Sequence, residues 1–277
     1  MLDVFLTNKI ASTLPNWTDE LVIIANILNK FDGVLYSPQD IKDEFNGISN
    51  RLPGARDESD YRDEYGAYSS FLGIMYFERI PDGWVCRMNK FAKRYLCGIL
   101  PDPQAYVRRQ LSLFQYPNPI GVKYNASGSF GLEPNSKRKR YVQVKEKINI
   151  NPFRAILSIL ISLLDEHGSS QSYLTIQEIA INVFANPLLT NTKIGRNGII
   201  DDILESRNTV LSSASTSTYS QNAVRNLHII AHTGLIQKEN NVYRLHPDVL
   251  DTKSRAYHLA NSITQMISVF DTPMSLA

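Results

Sequence analysis

Residues 218–247 read "TYSQNAVRNLHIIAHTGLIQKENNVYRLHP", and this stretch decides the fold prediction. Ser220 can cap a helix over residues 220–236, in which Leu227, Ile230, Ala231 and Leu235 line one side. Residues 234–247 then predict a hairpin that turns at Asn240-Asn241. A capped helix that leads directly into a hairpin is typical of the last part of a winged helix–turn–helix domain.

The same order occurs earlier in the chain. Residues 61–73 predict a helix, and "FLGIMYFERIPDGWVCRMN" (71–89) predicts a hairpin with its turn at Pro81-Asp82-Gly83. The sequence therefore predicts a mainly α fold with small β-hairpins, built as two winged helix–turn–helix domains. The remaining predicted helices cover residues 18–31, 37–45, 90–96, 101–115, 151–168, 173–186, 195–212 and 252–270.

Local signals mark several of these helix ends. Thr18 and Ser37 are predicted N-caps, and Pro38 takes the first helical position after Ser37. Thr175 and Glu178 have the spacing of a capping box, and Gly168 is placed to end the helix before it.

Charge is unevenly distributed along the 277 residues. Residues 1–118 carry 13 basic and 15 acidic side chains, residues 119–150 carry 7 and 2, and residues 151–277 carry 9 and 10. The net charges are therefore −2, +5 and −1. This pattern predicts a winged-helix domain at 1–118, a basic flexible connector at 119–150 and a second winged-helix domain at 151–277.

Composition excludes several classes of protein. The hydrophobic content of 43% is sufficient for ordinary folded domains. The sequence has no run of 18 apolar residues, so it predicts no membrane span. The N-terminus lacks the basic and apolar segments of a signal peptide. Cys86 and Cys97 form no metal-binding spacing, so we expect a reducing, cytoplasmic setting.

The helix predicted over residues 220–236 carries polar residues in its first turns, where a recognition helix would face the major groove. Gln and Asn side chains can pair with adenine, and Arg with guanine. The candidate base-reading residues are Ser220, Gln221, Asn222, Arg225 and Asn226. Lys238 and Arg244 on the following hairpin are candidate phosphate contacts. The alternative is a surface helix whose polar residues serve only solubility.

The connector and the first half hold further cations. Lys137, Arg138, Lys139 and Arg140 form a tetrabasic run that suits a phosphate clamp, a nuclear signal or a solvated loop. The predicted third helix of the first half follows several acidic residues, which disfavour the approach of phosphate. That half could instead use its other side, which carries Lys90, Lys93, Arg94, Arg108 and Arg109.

Catalytic and metal sites have weaker support. His228 and His232 lie four residues apart but lack the glutamate and third ligand of a zincin, so we predict no metal site and no cofactor. A divalent-metal nuclease would have to use Gln143 and Lys145 of a predicted strand together with Asp102, which lies 41 residues upstream of Gln143 at a predicted helix start. We expect no catalytic site in this chain.

The progression from "RRQLSLFQYPNP" through the apolar helix at Pro152 and "LTIQEI" to "TGLI…YRL" resembles the tandem winged-helix recognition regions of bacterial restriction endonucleases and related phage-defence proteins. The resemblance implies a double-stranded DNA partner, with cleavage carried by another domain or chain. It also suggests a nuclease, methyltransferase or ATPase subunit as a partner. The alternative is a protein-interaction scaffold that uses aromatic side chains such as Tyr61, Tyr65 and Tyr68.

Overall fold

The computed structural model describes residues 17–48, 73–113, 151–179, 182, 196–208, 229–240 and 242–266. These residues form a mainly α fold with small antiparallel sheets, which confirms the predicted fold class. The helices are α1 (Trp17–Asn29), α2 (Pro38–Ile48), α3 (Lys90–Leu96), α4 (Pro103–Leu113), α5 (Pro152–His167), α6 (Ile176–Glu178), α7 (Arg196–Asn208), α8 (Pro247–Leu250) and α9 (Arg255–Thr264), and the strands are β1 (Met75–Ile80), β2 (Gly83–Met88), β3 (Tyr173–Thr175), β4 (Ile236–Glu239) and β5 (Val242–Leu245).

In the first half, β1 and β2 form the predicted hairpin. Their register pairs Met75 with Met88 and Ile80 with Gly83. Val85 of β2 also bridges to Leu35, which lies between α1 and α2. Two backbone hydrogen bonds support this bridge, one from the amide of Tyr36 to the carbonyl of Trp84 and one from the amide of Cys86 to the carbonyl of Val34. The segment between the first two helices thus lies beside the second hairpin strand.

The second half repeats this arrangement with a longer early strand. β3 follows α5 and pairs antiparallel with β5, so the sheet has the order β3-β5-β4. The β4–β5 turn begins at Asn240, whose φ of 56° is a conformation that asparagine tolerates better than most residues. In both halves a segment between two helices therefore pairs with the last strand of the hairpin, through a single bridge in the first half and through β3 in the second.

Local capping signals are largely confirmed. The Thr175 side chain accepts a hydrogen bond from the amide of Glu178, and the Glu178 carboxylate accepts one from the amide of Thr175. Ser37 accepts from the amide of Asp40 at 3.3 Å. Gly168, at φ 80°, follows the end of α5. These contacts satisfy amides and carbonyls that a helix end leaves unpaired.

Several predicted helix limits were wrong. Thr18 does not cap α1, because the helix already includes Trp17. Residues 173–175 form a strand rather than a helix, because they pair with β5. The helix predicted over 220–236 ends at residue 231, and Ile236 already belongs to β4. The last helix begins at Arg255 and not at residue 252, because Ser254 caps it.

A continuous apolar core joins the two halves. It runs from Leu21 in α1 to Ile263 in α9, and it includes buried residues from nearly every described element. Asn151, at the start of α5, donates its side-chain amide to the carbonyl oxygens of Leu111 and Ser112 at the end of α4. The predicted boundaries at residues 118 and 150 lie outside the described residues, and the division into domains stays a prediction.

The described helices include none that is both long enough and apolar enough to cross a membrane.

Candidate nucleic-acid interface

The junction between the helix that ends at residue 231 and the second hairpin is the best-defined part of the candidate interface. Residues 229–231 end this helix, and Ile229 and Ile230 are buried in the core. Thr233 is fully buried, and its hydroxyl donates to the carbonyl of Ile230 at 2.7 Å. Gly234 then takes a φ of 71°, where the chain turns into β4.

The predicted base-reading residues precede this junction. Ser220, Gln221, Asn222, Arg225 and Asn226 lie outside the described residues, as do the connector cations Lys137, Arg138, Lys139 and Arg140. Their proposed contacts therefore stay predictions.

The two predicted phosphate contacts on the hairpin lie on opposite faces of the sheet. Lys238 is opposite Tyr243, and Arg244 is opposite Gln237 and Tyr173 in the register. Directly paired residues share a face, and successive residues alternate between faces. Lys238 is therefore on the face of the buried Tyr243, and burial lowers the pKa of its ammonium group. Arg244 is on the outer face and is the better placed of the two to meet a phosphate.

Arg244 is held on this face by an aromatic ring. Its guanidinium carbon lies 4.8 Å from the ring centroid of Tyr173, and its side chain is 37% exposed. The Arg244 Nε atom is 4.0 Å from the Glu239 carboxylate, at the limit of an ion pair. A partly exposed guanidinium on a tyrosine ring has restricted freedom, which lowers the entropic cost of binding an anion.

Sequence reasoning missed a second arginine that contacts this ring. Arg207 of α7 lies with its guanidinium carbon 3.9 Å from the Tyr173 centroid. It forms a buried ion pair with Glu178 at 2.7 Å and donates to the carbonyl of Tyr173 at 2.5 Å and to the Gln171 side chain at 2.9 Å. Arg207 thus joins α7, α6 and β3. Its position in the last turn of a helix was visible in the sequence, but its distant partners were not.

The cations of the first half have partners within the protein. Lys93 pairs with Asp32, and the guanidinium of Arg109 lies 3.6 Å from the ring centroid of Phe91. Arg108 donates to the carbonyl of Thr233 at 2.9 Å. Lys90 and Arg94 are exposed on α3 and lie over the rings of their neighbours Phe91 and Tyr95. Three of these cations therefore have contacts within the protein, whereas Lys90 and Arg94 are exposed.

The residues of the alternative nuclease site are only partly described. The side chain of Asp102 accepts a hydrogen bond from the amide of Ala105 at 2.9 Å, so it caps the start of α4. Gln143 and Lys145 lie outside the described residues, and so does His228 of the histidine pair. Among the described residues, no group of three or more histidine, cysteine, aspartate or glutamate side chains is arranged to hold a metal ion.

Comparison with solved structures shows what this fold is similar to. The chain matches the BpuJ1 endonuclease binding domain, which was solved in complex with pyrene- and phenanthrene-modified DNA. The TM-score is 0.66 at 20% sequence identity, and the match covers 95% of this chain and 86% of that one. No protein-family model matches the sequence, and no curated protein matches it. The likeness establishes that this fold is similar to that of a restriction endonuclease binding domain.

Proposed function

We propose that this protein recognises a specific sequence in double-stranded DNA and forms the recognition part of a restriction or phage-defence system. In this proposal cleavage belongs to another domain or chain, and the protein works in the cytoplasm. The observation that carries the proposal is the likeness over 95% of the chain to a binding domain that was solved on DNA.

The arrangement of elements supports two winged helix–turn–helix domains. In each half, a segment between two helices pairs with the second strand of a hairpin, through the single bridge of Leu35 to Val85 in the first half and through β3 with β5 in the second. Winged helices have this strand order, and their recognition helix precedes the hairpin. The helix that ends at residue 231 has this position in the second half. We therefore propose that it enters the major groove and that the β4–β5 hairpin is its wing.

Roles for individual residues follow from this placement. We propose that Ser220, Gln221, Asn222, Arg225 and Asn226 read base edges, and that Lys137–Arg140 contact phosphates. Arg244 is proposed as the main phosphate contact of the wing, since it is on the outer face and partly exposed. Lys238 is proposed as a contact near the wing tip, where its partly buried stem lies on the inner face.

Binding of labelled duplexes from a randomised pool, followed by fluorescence anisotropy, tests the function. We expect selection of a defined sequence and an affinity that falls steeply as salt rises, since each phosphate contact contributes about 0.9 to the slope of log K against log salt. If no duplex binds in a salt-dependent manner even at low ionic strength, the proposal fails.

Two variants separate reading of sequence from contact with phosphate. Arg225→Ala should weaken binding to the selected duplex by roughly 1–3 kcal/mol and relax the preference at one base pair. Replacement of Lys137–Arg140 by glutamine should weaken all duplexes alike and reduce the salt slope by up to about 4, the sum of four phosphate contacts. If the quadruple variant keeps the parental slope, the connector does not contact DNA.

A second candidate function is supported by one surface feature. Ile99 and Leu100, between α3 and α4, are 100% and 89% exposed. Exposed neighbouring apolar side chains favour a protein contact, and a nuclease, methyltransferase or ATPase subunit would be the corresponding partner. An Ile99→Ser/Leu100→Ser variant should lose such a partner in co-purification while it keeps the parental affinity for DNA. Unchanged co-purification would exclude this surface.

A further inference from the structure

Helix α4 of the first half contacts the helix–hairpin junction of the second half. Arg108 donates from Nη1 to the carbonyl oxygen of Thr233 at 2.9 Å, across 125 residues of sequence. Gln104, one turn earlier on α4, covers Gly234: a Cβ atom built on this glycine would come within 2.4–2.6 Å of the Gln104 side-chain amide. Residues four apart share a helix face, so one face of α4 holds both residues of the junction.

Thr233 has the geometry of a connecting element. Its hydroxyl donates to the carbonyl of Ile230 in the preceding helix and accepts from the amide of Leu235 before β4, at 2.7 and 3.3 Å. The side chain is fully buried. The side chain of Thr233 therefore links the helix end to the hairpin, and its carbonyl binds Arg108. A hydrogen bond from a charged donor to this carbonyl is stronger than a neutral one.

Helix α4 is itself fixed to both halves. Tyr106, Val107 and Leu111 are buried in the shared core. The carbonyls of Leu111 and Ser112 at its end accept hydrogen bonds from Asn151, which caps α5. Helix α4 is thus held independently of its contact with Thr233, so it can act as a fixed support for the junction.

We propose that α4 is a positioning element for DNA reading, and that Arg108 sets the orientation of the helix that ends at residue 231 relative to the β4–β5 hairpin. This inference rests on the function proposed above. A winged helix contacts the groove with its helix and the backbone with its hairpin at the same time. A change of the angle between them therefore misaligns one contact when the other forms, and discrimination between sequences suffers most.

A direct phosphate contact by Arg108 is the competing explanation, and it makes a different prediction. Loss of a phosphate contact lowers the salt slope by about 0.9 and weakens all duplexes alike. Loss of a positioning contact lowers the preference for the selected sequence and leaves the salt slope unchanged.

The experiment compares Arg108→Met with Arg94→Met in the full chain. Arg94 is a matched control because it is exposed on the neighbouring helix and its guanidinium lies over its own neighbour Tyr95. The first measurement is amide hydrogen exchange in a peptide that spans residues 229–245, without DNA. We expect exchange at the junction to accelerate by about tenfold in Arg108→Met and to stay at the parental rate in the control, because local opening follows the loss of local contacts.

The second measurement uses two probes, the duplex that the parent protein selects from a randomised pool and a shuffled duplex of the same composition. Arg108→Met should reduce the ratio of the two affinities by about tenfold at an unchanged salt slope. Arg108→Lys, which keeps a cationic donor, should recover part of the ratio. Recovery by lysine also distinguishes positioning from a general loss of stability.

Three results would overturn the inference: parental exchange rates in Arg108→Met, a parental affinity ratio, or a salt slope lower by about one. Failure of the proposed function gives a different result, because the parent protein itself would then select no duplex. In that case the exchange measurement still decides whether Arg108 holds the junction.

Discussion

The two halves of the chain hold their hairpins against neighbouring helices in different ways. In the second half, a buried guanidinium joins Arg207 to Glu178 and to the backbone of Tyr173. In the first half, the early strand is reduced to the bridge between Leu35 and Val85, and the hairpin carries the surface ion pair of Arg87 and Glu78. The sheet is thus secured by a buried ion pair in the second half, whereas the ion pair on the hairpin of the first half is exposed. The same type of substitution should therefore have unequal effects in the two halves.

The largest difference is expected for the two arginines. The side chains of Arg207 and Glu178 are 13% and 5% exposed, so Arg207→Met leaves a buried carboxylate without its partner. We expect the free energy of unfolding to fall by about 3–5 kcal/mol, as for other broken buried pairs. Arg87→Met, the matched control, should change it very little, because its pair with Glu78 is exposed. Urea denaturation measures both, and equal losses would contradict the contrast.

Helix caps offer a second comparison, with a smaller effect. Asn151 caps α5 and also donates to two carbonyls of α4, whereas Ser37 caps α2 through a single hydrogen bond of 3.3 Å. Asn151→Ala should cost about 2 kcal/mol, since it removes a cap and leaves buried carbonyls unpaired. Ser37→Ala should cost about 0.5 kcal/mol. Thermal unfolding of both variants measures this difference, and a larger loss for Ser37→Ala would exclude the role of Asn151 at the junction of the halves.

Two fully buried tyrosines should respond in opposite directions. The hydroxyl of Tyr106 accepts a hydrogen bond from Gln110 at 3.3 Å, whereas that of Tyr243 has no hydrogen-bond partner among the described residues. Tyr106→Phe should lower the free energy of unfolding by about 1 kcal/mol, and Tyr243→Phe should raise it by about as much by removing an unsatisfied polar group. Chemical denaturation decides the sign, and destabilisation by both variants would indicate a partner for Tyr243.

The smallest expected effect concerns pH in the first half. Burial raises the pKa of Asp32, but the hydrogen bonds from Lys93 and from the amide of Met88 outweigh it, so the net shift is downward from 3.8. The stability that Asp32 provides is therefore present at neutral pH and is lost as the pH falls below about 4. Asp32→Asn should lose less stability than the parent between pH 7 and pH 3, measured by denaturation at both values. An equal loss would show that other carboxyl groups dominate.

Local signals account for much of what the sequence predicted correctly. Gly168, Ser37 and the pair of Thr175 and Glu178 act through contacts within four residues, so their spacing alone indicates the helix end. Asn240 likewise indicates a turn through its own backbone preference. The predicted hairpins are confirmed for the same reason, because their turns depend on residues that are neighbours in the sequence.

What the sequence could not predict depends on distant contacts. β3 has only three residues, and its partner strand begins 67 residues after its end, at Val242. Arg207 donates a hydrogen bond to Glu178, which lies 29 residues upstream, and Arg108 donates one to the carbonyl of Thr233, which lies 125 residues downstream. Periodicity does not reveal such pairings, so the sequence offered Arg108 as one of several cations that could meet DNA and did not predict its contact with Thr233. The candidate base-reading residues stay predictions for a different reason, because they lie outside the described residues.

The two cysteines have a consequence for the chemical behaviour of the protein. Cys86 is buried in β2, and burial raises the pKa of its thiol to about 11. Cys97, at the end of α3, is only partly buried, although burial raises its pKa as well. Thiolates are the reactive species, so both residues should resist oxidation at neutral pH, and an alkylating dye should modify Cys97 long before Cys86. The native chain thus provides one site for a fluorescent reporter, a few residues from the exposed pair Ile99 and Leu100.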